Sequence, residues 1–329
     1  MASDNKNWIT AADVARHAGV SRSAVSRTFT PGASVSKQTR QRVLASASEL
    51  GYQVNIIART MITGSSNFVG IITSSFENPF MSRLLGSLIH QLTLHGLMPL
   101  LLNINGLHQL EPALRRLLSY HITGVIMTSG APPLALAREY LAKKIPVVLI
   151  NRYACLPGID RICSDNEQGA SLVAALFREE NLQRLAFIGE NRHSFNTAER
   201  WRVFRAALPA TPPAAHFCDR DSYQCGWEAA EKLVSARQDL QGIFCASDVL
   251  AMGVMDYLRQ SPQNAAIKVV GYDDIPQAGF AAYQLTTVHQ DTDRLALFSV
   301  DSLLKRIENF ARPTLEQSVP VSLVRRCSA

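Results

Sequence analysis

The sequence predicts an all-α helix-turn-helix headpiece followed by a larger α/β body made of two parallel-sheet lobes. Residues 10–29 have the pattern of two short amphipathic helices around a glycine corner, and apolar strands alternate with helical segments from Phe68 onward. The chain of 329 residues is longer than a domain with a single hydrophobic core usually is. A small module joined to a body of more than one lobe is therefore expected.

Positive charge is concentrated at the front of the chain. Residues 1–60 hold eight Lys and Arg against three acids, which leaves only +1 of the total +6 for the rest of the sequence. Lysine and arginine gain free energy when they displace the counterions condensed on phosphates. A basic head on a nearly neutral body is thus typical of a protein that binds a polyanion.

The headpiece begins with a helix over residues 11–17 that buries Val14, and Gly19 supplies the corner after it. Ser21 is expected to cap the second helix by accepting a hydrogen bond from a free backbone N–H. Its inward face would hold Ala24, Val25 and Phe29. The polar face is predicted to contact a DNA major groove through Ser21, Arg22, Ser23, Ser26 and Arg27. An ordinary helical hairpin would also fit this pattern.

A third helix is predicted from Ser36 to Gly51, which would complete a three-helix bundle. Its inner face is expected to carry Val43, Leu44, Ala47 and Leu50. Next, Asn55 can cap a short helix over residues 56–61, and residues 64–66 would end it. A helix this short is marginal in water, so it should form only when something packs against it.

Two series of buried parallel strands follow. The first comprises residues 68–74, 97–103, 124–129 and 146–151, and the second comprises 184–190, 242–247 and 267–274. The second series is separated by predicted helices over 168–180, 196–208, 223–237 and 249–259. Repeated βα units require parallel sheets covered on both faces, and two runs of them indicate two lobes.

Polar and aromatic residues cluster just after these strands. Ligands of open α/β sheets collect at the carboxyl ends of the strands, and side chains of these types suit a small polyhydroxylated ligand. The candidate ligand-binding residues that follow strands are Phe76, Asn78, Phe80, Asn151, Asp248 and Asp273. Arg200, one helical turn into the helix after residues 184–190, and Tyr223 are further candidates. Each has a simpler interpretation: Asn78 and Asp248 as helix caps, Asp273 as a turn former, and Arg200 as a solvent-facing arginine beside Arg202 and Arg205.

Several other classes of protein are disfavoured. The six cysteines form no C-x-x-C pair and have no histidine at metal-ligand spacing, so buried thiols are expected rather than disulfides or zinc. We find no phosphate loop, nucleophile elbow or metal motif, and we predict no catalytic residue, metal or cofactor. The first residues contain no apolar segment with a cleavage site, and we expect neither export nor membrane insertion.

An ordered series of motifs resembles the lactose/galactose-repressor (LacI/GalR) family of bacterial transcription regulators, and the match runs nearly end to end. The motifs are DVARHAGVSRSAVSRTF, VSKQTRQRVLASASELGYQVNIIARTM, FVGIITSSFENPF, GIFCASDVLAMGVMDYLR, VVGYDDIP and LTTVHQD. The resemblance implies a DNA-binding headpiece, a hinge helix and a core like a periplasmic sugar-binding protein, working as a dimer.

On this resemblance the chain divides into three parts: a headpiece at 1–53, a hinge helix and linker at 54–66, and an effector-binding and dimerisation core at 67–329. The first lobe of the core would hold about 67–163 and 292–321, and the second about 164–291 and 322–329. We expect the dimer surface on the first lobe around residues 81–92. The chain carries no heptad segment after Leu323, and a tetramer held by a C-terminal coiled coil is not expected.

The resemblance also assigns roles to individual positions. Arg22 and Ser23 correspond to base-contacting positions of the recognition helix, and Arg27 to a third position that faces a base or a phosphate. In the hinge, Asn55, Ala58 and Arg59 match the family pattern and are expected to bind DNA. Met61 stands where the family has a leucine that wedges into the minor groove, and Val54 replaces the usual proline.

In the core, six positions coincide with the effector cleft of similar proteins: Asn78, Phe80, Asn151, Arg200, Asp248 and Asp273. An aspartate is more usual at the position of Asn151. We therefore expect a repressor-type, sequence-specific DNA-binding regulator under allosteric control by a sugar, with a nucleobase, a sugar acid or a phosphorylated sugar as other ligands. A cytoplasmic sugar-binding sensor without DNA function is the alternative, and an enzyme is disfavoured. The expected location is cytoplasmic and nucleoid-associated, and the expected partners are double-stranded operator DNA, the effector and a second copy.

Overall fold

The computed structural model describes residues 8–30, 32–53, 66–74, 76–104, 106–128, 130–153, 156–208 and 212–329. The chain divides into two compact units, Met1–Ser66 and Asn67–Ala329. The hinge positions lie outside the described residues, and their roles stay predictions: Val54, Asn55, Ala58, Arg59 and Met61.

The described part of the first unit consists of three short helices: α1 (Ala11–Ala18), α2 (Arg22–Thr28) and α3 (Lys37–Leu50). As predicted, the Ser21 hydroxyl accepts the N–H of Ala24 at 3.2 Å, and Ser36 caps α3 in the same way. Gly19 ends α1 at a φ of 61°, a left-handed conformation that glycine adopts without a Cβ penalty. The predicted three-helix bundle is confirmed.

The core of this bundle is formed by Val14, Val25 and Val43, which are fully buried. The prediction that Leu44 also faces inward is wrong, because 46% of its surface is exposed. The inner stripe of α3 comprises positions 43, 46, 47 and 50, which follow the i, i+3, i+4, i+7 spacing of one helix face. Leu44 lies one residue off that stripe.

The second unit contains two sheets, each with six strands among the residues the structure describes. The first sheet and its helices comprise β1 (Phe68–Thr73), α4 (Pro79–Leu94), β2 (Met98–Asn103), α5 (Leu110–Ser119), β3 (Gly124–Met127), α6 (Leu134–Ala142), β4 (Val147–Ile150) and β5 (Asp160–Ser164). The second comprises α7 (Asn166–Glu179), β6 (Leu185–Glu190), α8 (Phe195–Ala206), β7 (Ala214–Cys218), α9 (Tyr223–Ala236), β8 (Gly242–Cys245), α10 (Asp248–Leu258), β9 (Lys268–Asp273) and β10 (Thr286–Gln290). The chain ends with α11 (Thr292–Glu308), β11 (Glu316–Val319) and β12 (Val321–Val324).

The strand orders are β11-β5-β4-β3-β1-β2 in the first lobe and β12-β10-β9-β8-β6-β7 in the second. Strand pairs are parallel except β10 with β12. The described chain passes between the lobes at residues 164–166, 290–292 and 319–321. Helix α11 therefore packs on α4, β4 and β5 of the first lobe although it follows a strand of the second.

The predicted fold class of two parallel-sheet lobes is confirmed, and all seven predicted strands are present. Strands β5, β7, β10, β11 and β12 were not predicted. They are short, and several are rich in polar residues, such as β5 with the sequence DRICS and β10 with TTVHQ. A short polar segment carries little of the apolar signal by which buried strands are recognised.

Cysteine burial matches the expectation only in part. Cys163, Cys218, Cys225 and Cys245 are buried or partly buried free thiols, whereas Cys327 is exposed. No helix in the described segments has the length and apolar composition needed to cross a bilayer.

Candidate functional site

Helix α2 presents one exposed polar face. Val25 and Thr28 are buried on one side of the helix. The five predicted contact residues are all exposed: Ser21, Arg22, Ser23, Ser26 and Arg27. The Nε of Arg27 donates to the carbonyl oxygen of Ser23 at 3.3 Å, which aligns the arginine along the helix. The face has the length of two helical turns and carries two guanidinium groups.

The other arginines of the headpiece are used within it. Arg40 donates to the carbonyl of Thr28 at 2.9 Å, and Arg42 donates to the carbonyl of Ala18 at 2.5 Å. Cations in these positions satisfy the open carbonyls at helix C-termini. Within the described residues Arg22 makes no hydrogen bond or ion pair, so its guanidinium is available to an outside partner.

In the second unit, Asn78 connects the two lobes. Its Oδ1 accepts the N–H of Phe80 at 2.9 Å and so caps α4, as the simpler interpretation of this residue predicts. Its Nδ2 donates to Oδ2 of Asp221 at 2.8 Å, which belongs to the second lobe. The cap and the interlobe contact therefore coexist in one side chain.

Asp221, which the sequence reasoning missed, is the second-lobe partner of Asn78 in this interlobe contact. It also accepts a hydrogen bond from the Ser247 hydroxyl, the N-cap of α10. Burial raises the pKa of Asp221 to about 6, and the Glu190 carboxylate adds to that shift, whereas the hydrogen bond from Ser247 opposes it. Asp221 follows β7, an edge strand that was not predicted, so no strand end marked it in the sequence.

Arg200 is buried, and two of its guanidinium nitrogens donate hydrogen bonds within the second lobe. Its Nε donates to Oδ1 of Asn166 at 2.8 Å, and its Nη1 donates to the carbonyl of Ala246 at 2.5 Å. Its Cζ lies 3.4 Å from the centroid of the Tyr272 ring, within the range of a cation–π contact. The alternative of a solvent-facing arginine is therefore wrong.

Asp273 and Asn151 end strands in the second and first lobes, and both have left-handed backbones, with φ of 118° and 55°. Such strain in non-glycine residues is concentrated at functional sites. The Nε2 of Gln290 donates to Asp273 at 2.5 Å, and burial raises the pKa of this aspartate well above its usual range, an effect that Arg200 opposes. The Oδ1 of Asn151 accepts the N–H of Ser164 at 2.7 Å.

Two candidate side chains, those of Asp248 and Tyr223, make their hydrogen bonds away from the interlobe contact of Asn78. Asp248 is fully buried; it accepts the N–H of Ile275 at 2.8 Å and the hydroxyl of Thr287 at 2.5 Å. Burial raises its pKa to about 7. The Tyr223 hydroxyl donates to Asp256 at 3.0 Å on the α9–α10 face. We therefore place these two candidates beneath and beside the cleft.

The two phenylalanine candidates differ in exposure. Phe80, at the start of α4, packs into the core of the unit, whereas Phe76 leaves 44% of its surface exposed. Of the two, Phe76 therefore offers the ring face that a ligand could contact.

A second set of interlobe contacts was also missed from the sequence. The rings of Tyr153 and Phe195 are 4.5 Å apart and nearly perpendicular, and the Tyr153 hydroxyl donates to Glu199 at 3.0 Å. Burial lowers the pKa of Arg152, and the negative charge of Glu190 opposes that shift. Arg152 follows Asn151 directly, so its strand-end position was visible in the sequence. In the described ranges no group of three or more His, Cys, Asp or Glu residues is arranged to hold a metal ion.

Comparisons with known proteins agree with this architecture. Residues 10–55 match the model of bacterial regulatory proteins of the lacI family, and residues 174–329 match a periplasmic binding protein-like domain. The chain is 30% identical to the sucrose operon repressor of Pediococcus pentosaceus (96% of this chain, 98% of that protein) and 28% identical to the ribose operon repressor of Halalkalibacterium halodurans (95% of each). A crystal structure of the Lac repressor dimer bound to operator and the anti-inducer ONPF superposes with a TM-score of 0.87 at 26% identity, covering 98% of this chain and 99% of that one.

Proposed function

The chain belongs to the lacI family of bacterial regulatory proteins, and from this premise we propose that it is a transcriptional repressor whose binding to operator DNA is controlled by a small-molecule effector. The observation that carries the DNA-binding part is the exposed face of α2, where Arg22 has no partner in the described headpiece. An arginine that pairs bidentately with guanine contributes about 1 to 3 kcal/mol of discrimination. We assign DNA binding to the headpiece, residues 1–53, and to the hinge, residues 54–66.

A single recognition helix reads too few base pairs for specificity, so the repressor acts as a two-fold dimer on paired half-sites. The Lac repressor, a structural neighbour, is a dimer on its operator. The expected dimer surface around residues 81–92 is supported by exposed apolar side chains on α4 and on the neighbouring edge strand β2: Ile89, Leu94, Met98 and Leu101.

The effector binds between the lobes, in the cleft that Asn78, Asp221, Arg200 and Asp273 surround. Carboxylate, amide and guanidinium groups at strand ends suit the hydroxyls of a sugar, and the ring of Phe76 suits its apolar face. The effector closes the lobes and shifts the hinge segments between arrangements that do and do not fold on DNA. A coupling of about 1 to 3 kcal/mol would follow, and DNA must change effector affinity by the same factor. Operator binding places the protein in the cytoplasm, at the nucleoid.

Selection of preferred sequences from a random duplex pool by the purified full chain tests this function. We expect one near-palindromic site and a preference over random competitor at moderate ionic strength. Arg22→Ala should relax sequence preference at its half-site position, whereas Arg178→Ala, an exposed arginine of the second unit, should not. A chain that prefers no duplex under any condition would support the sensor without DNA function.

A further inference from the structure

The second lobe carries a pocket that none of the candidate effector residues lines. It opens to solvent and has a volume of about 440 Å³, a size typical of small-molecule sites. Its walls are the end of α10, the turn Pro262–Asn264, the start of β9, and residues 281–284 and 327–328. Three segments that are distant in sequence thus enclose one concave surface.

The pocket and the proposed effector cleft lie at opposite ends of β9. Lys268, the first residue of this strand, lines the pocket, whereas Asp273, the last residue, is a candidate for the cleft. A rise of about 3.3 Å per residue places the two backbones roughly 17 Å apart. The pocket is therefore a site of its own and not an extension of the cleft.

Five apolar side chains line this pocket. Met255, Leu258 and Val269 are buried, and Ile267 and Tyr283 pack against the same hydrophobic core. A ligand that covers these walls removes apolar surface from water, which favours binding. A sugar, with hydroxyls around its ring, lacks the apolar body that such walls require.

The polar side of the pocket is positively charged. Its described lining includes Arg259 and Lys268 and contains no Asp or Glu. The Nη1 of Arg259 pairs with Asp256 at 2.6 Å, and its Nη2 donates to the carbonyl of Ala282. The ammonium group of Lys268 makes no ion pair or hydrogen bond within the part of the chain that the structure describes. One cation of the lining is thus left for an anion from outside.

We propose that this pocket binds a small carboxylate with an apolar body, as a second ligand in addition to the effector. The carboxylate pairs with the Lys268 ammonium and accepts a hydrogen bond from the amide of Asn264, which also lines the pocket. The apolar body lies against Leu258 and Tyr283. A neutral ligand of the same shape would leave the ammonium unpaired, and a cationic ligand would be repelled by it.

The test is calorimetric titration of the full chain at pH 7.0 with benzoate, phenylacetate and 3-methylbutanoate, each compared with its uncharged amide. At least one carboxylate should bind at least tenfold more tightly than its own amide, because a hydrogen bond to a charged group corresponds to about 10- to 100-fold in affinity. Equal binding of acid and amide, or binding of none of the three acids, overturns the proposal.

Substitutions at Lys268 show whether this pocket is the site. Lys268→Met should lower the affinity for the carboxylate to that of the amide, and Lys268→Arg, which keeps the charge, should retain the preference. Lys232→Met, at an exposed lysine of α9 in the same lobe, is the matched control and should leave both affinities unchanged. A preference that survives in Lys268→Met would place the carboxylate elsewhere and overturn the assignment.

Cys327 supplies a second readout that does not require a variant to fold. Its side chain lines the pocket and is exposed, so its alkylation by iodoacetamide, assigned by peptide mass spectrometry, reports occupancy. A saturating carboxylate should slow this labelling severalfold in the unmodified chain, and an unchanged rate contradicts the proposal. Protection that rises with protein concentration in the absence of ligand would assign the pocket to a second copy instead.

Discussion

Arg306 holds α11 against the first lobe, and its removal should be among the most damaging single changes in the second unit. It is 1% exposed and donates to both carboxylate oxygens of Asp160, at 2.5 and 3.1 Å. It also donates to the carbonyls that follow α11: Phe310, Arg312 and Pro313. Asp160 is fully buried, so Arg306→Met leaves its charge without its main partner. Arg312, 3.5 Å away, compensates only in part.

Breaking one side of a buried ion pair costs about 3 to 5 kcal/mol, because the remaining charge is uncompensated. For a unit of this size we expect a fall in Tm on the order of 10 °C. Urea unfolding followed through the fluorescence of Trp201 and Trp227, both in the second unit, measures the free energy of unfolding.

Lys305→Met on the same helix is the matched control. Lys305 pairs with Asp301 at 2.7 Å on the surface, and removal of such an exposed pair should cost below about 1 kcal/mol. The double variant Asp160→Leu with Arg306→Met should recover part of the lost stability, since no buried charge is left. A loss for Arg306→Met no greater than that for Lys305→Met would refute the reasoning.

Three further changes test other parts of the molecule. Gly253→Ala would place a Cβ 2.1 Å from the Tyr223 carbonyl oxygen of the neighbouring helix, so the helices must separate, and unfolding should show a loss of about 1 to 3 kcal/mol; an unchanged midpoint would contradict this contact. Asp248 has a folded pKa of about 7, above its unfolded value of 3.8, so the native state binds its proton more tightly, and stability falls as pH rises between these two values and levels off above 7. Asp248→Asn should flatten that dependence below pH 7, and an unchanged slope there would assign it to another group. Ser21→Ala removes the cap that accepts the Ala24 N–H and should cost the headpiece about 1 kcal/mol in thermal unfolding by circular dichroism, whereas an equally stable headpiece would show that the cap contributes little.

The sequence by itself determined the features that depend on neighbours along the chain. The Ser21 cap, the Gly19 corner and the apolar stripes of the headpiece are local, and they predicted three helices and the exposed face of α2. The alternation of apolar strands and helices likewise predicted parallel sheets. The strand-end rule likewise selected Asn78, Arg200 and Asp273 as candidates, because parallel strands bring their carboxyl ends to one edge of a sheet, and their role in ligand binding stays a prediction.

Only the tertiary structure decided which of these side chains meet. Asn78 contacts Asp221 across 143 residues of sequence, and Asp248 turns into the protein to bind Thr287 rather than toward the cleft. Strand β10 is short and mostly polar and β7 has only five residues, so both carry little local signal, and the positions of Asp221 and Gln290 could not be inferred from the pattern. Their place depends on how two sheets close around a cleft. That closure is set by packing between distant segments, which a sequence pattern does not contain.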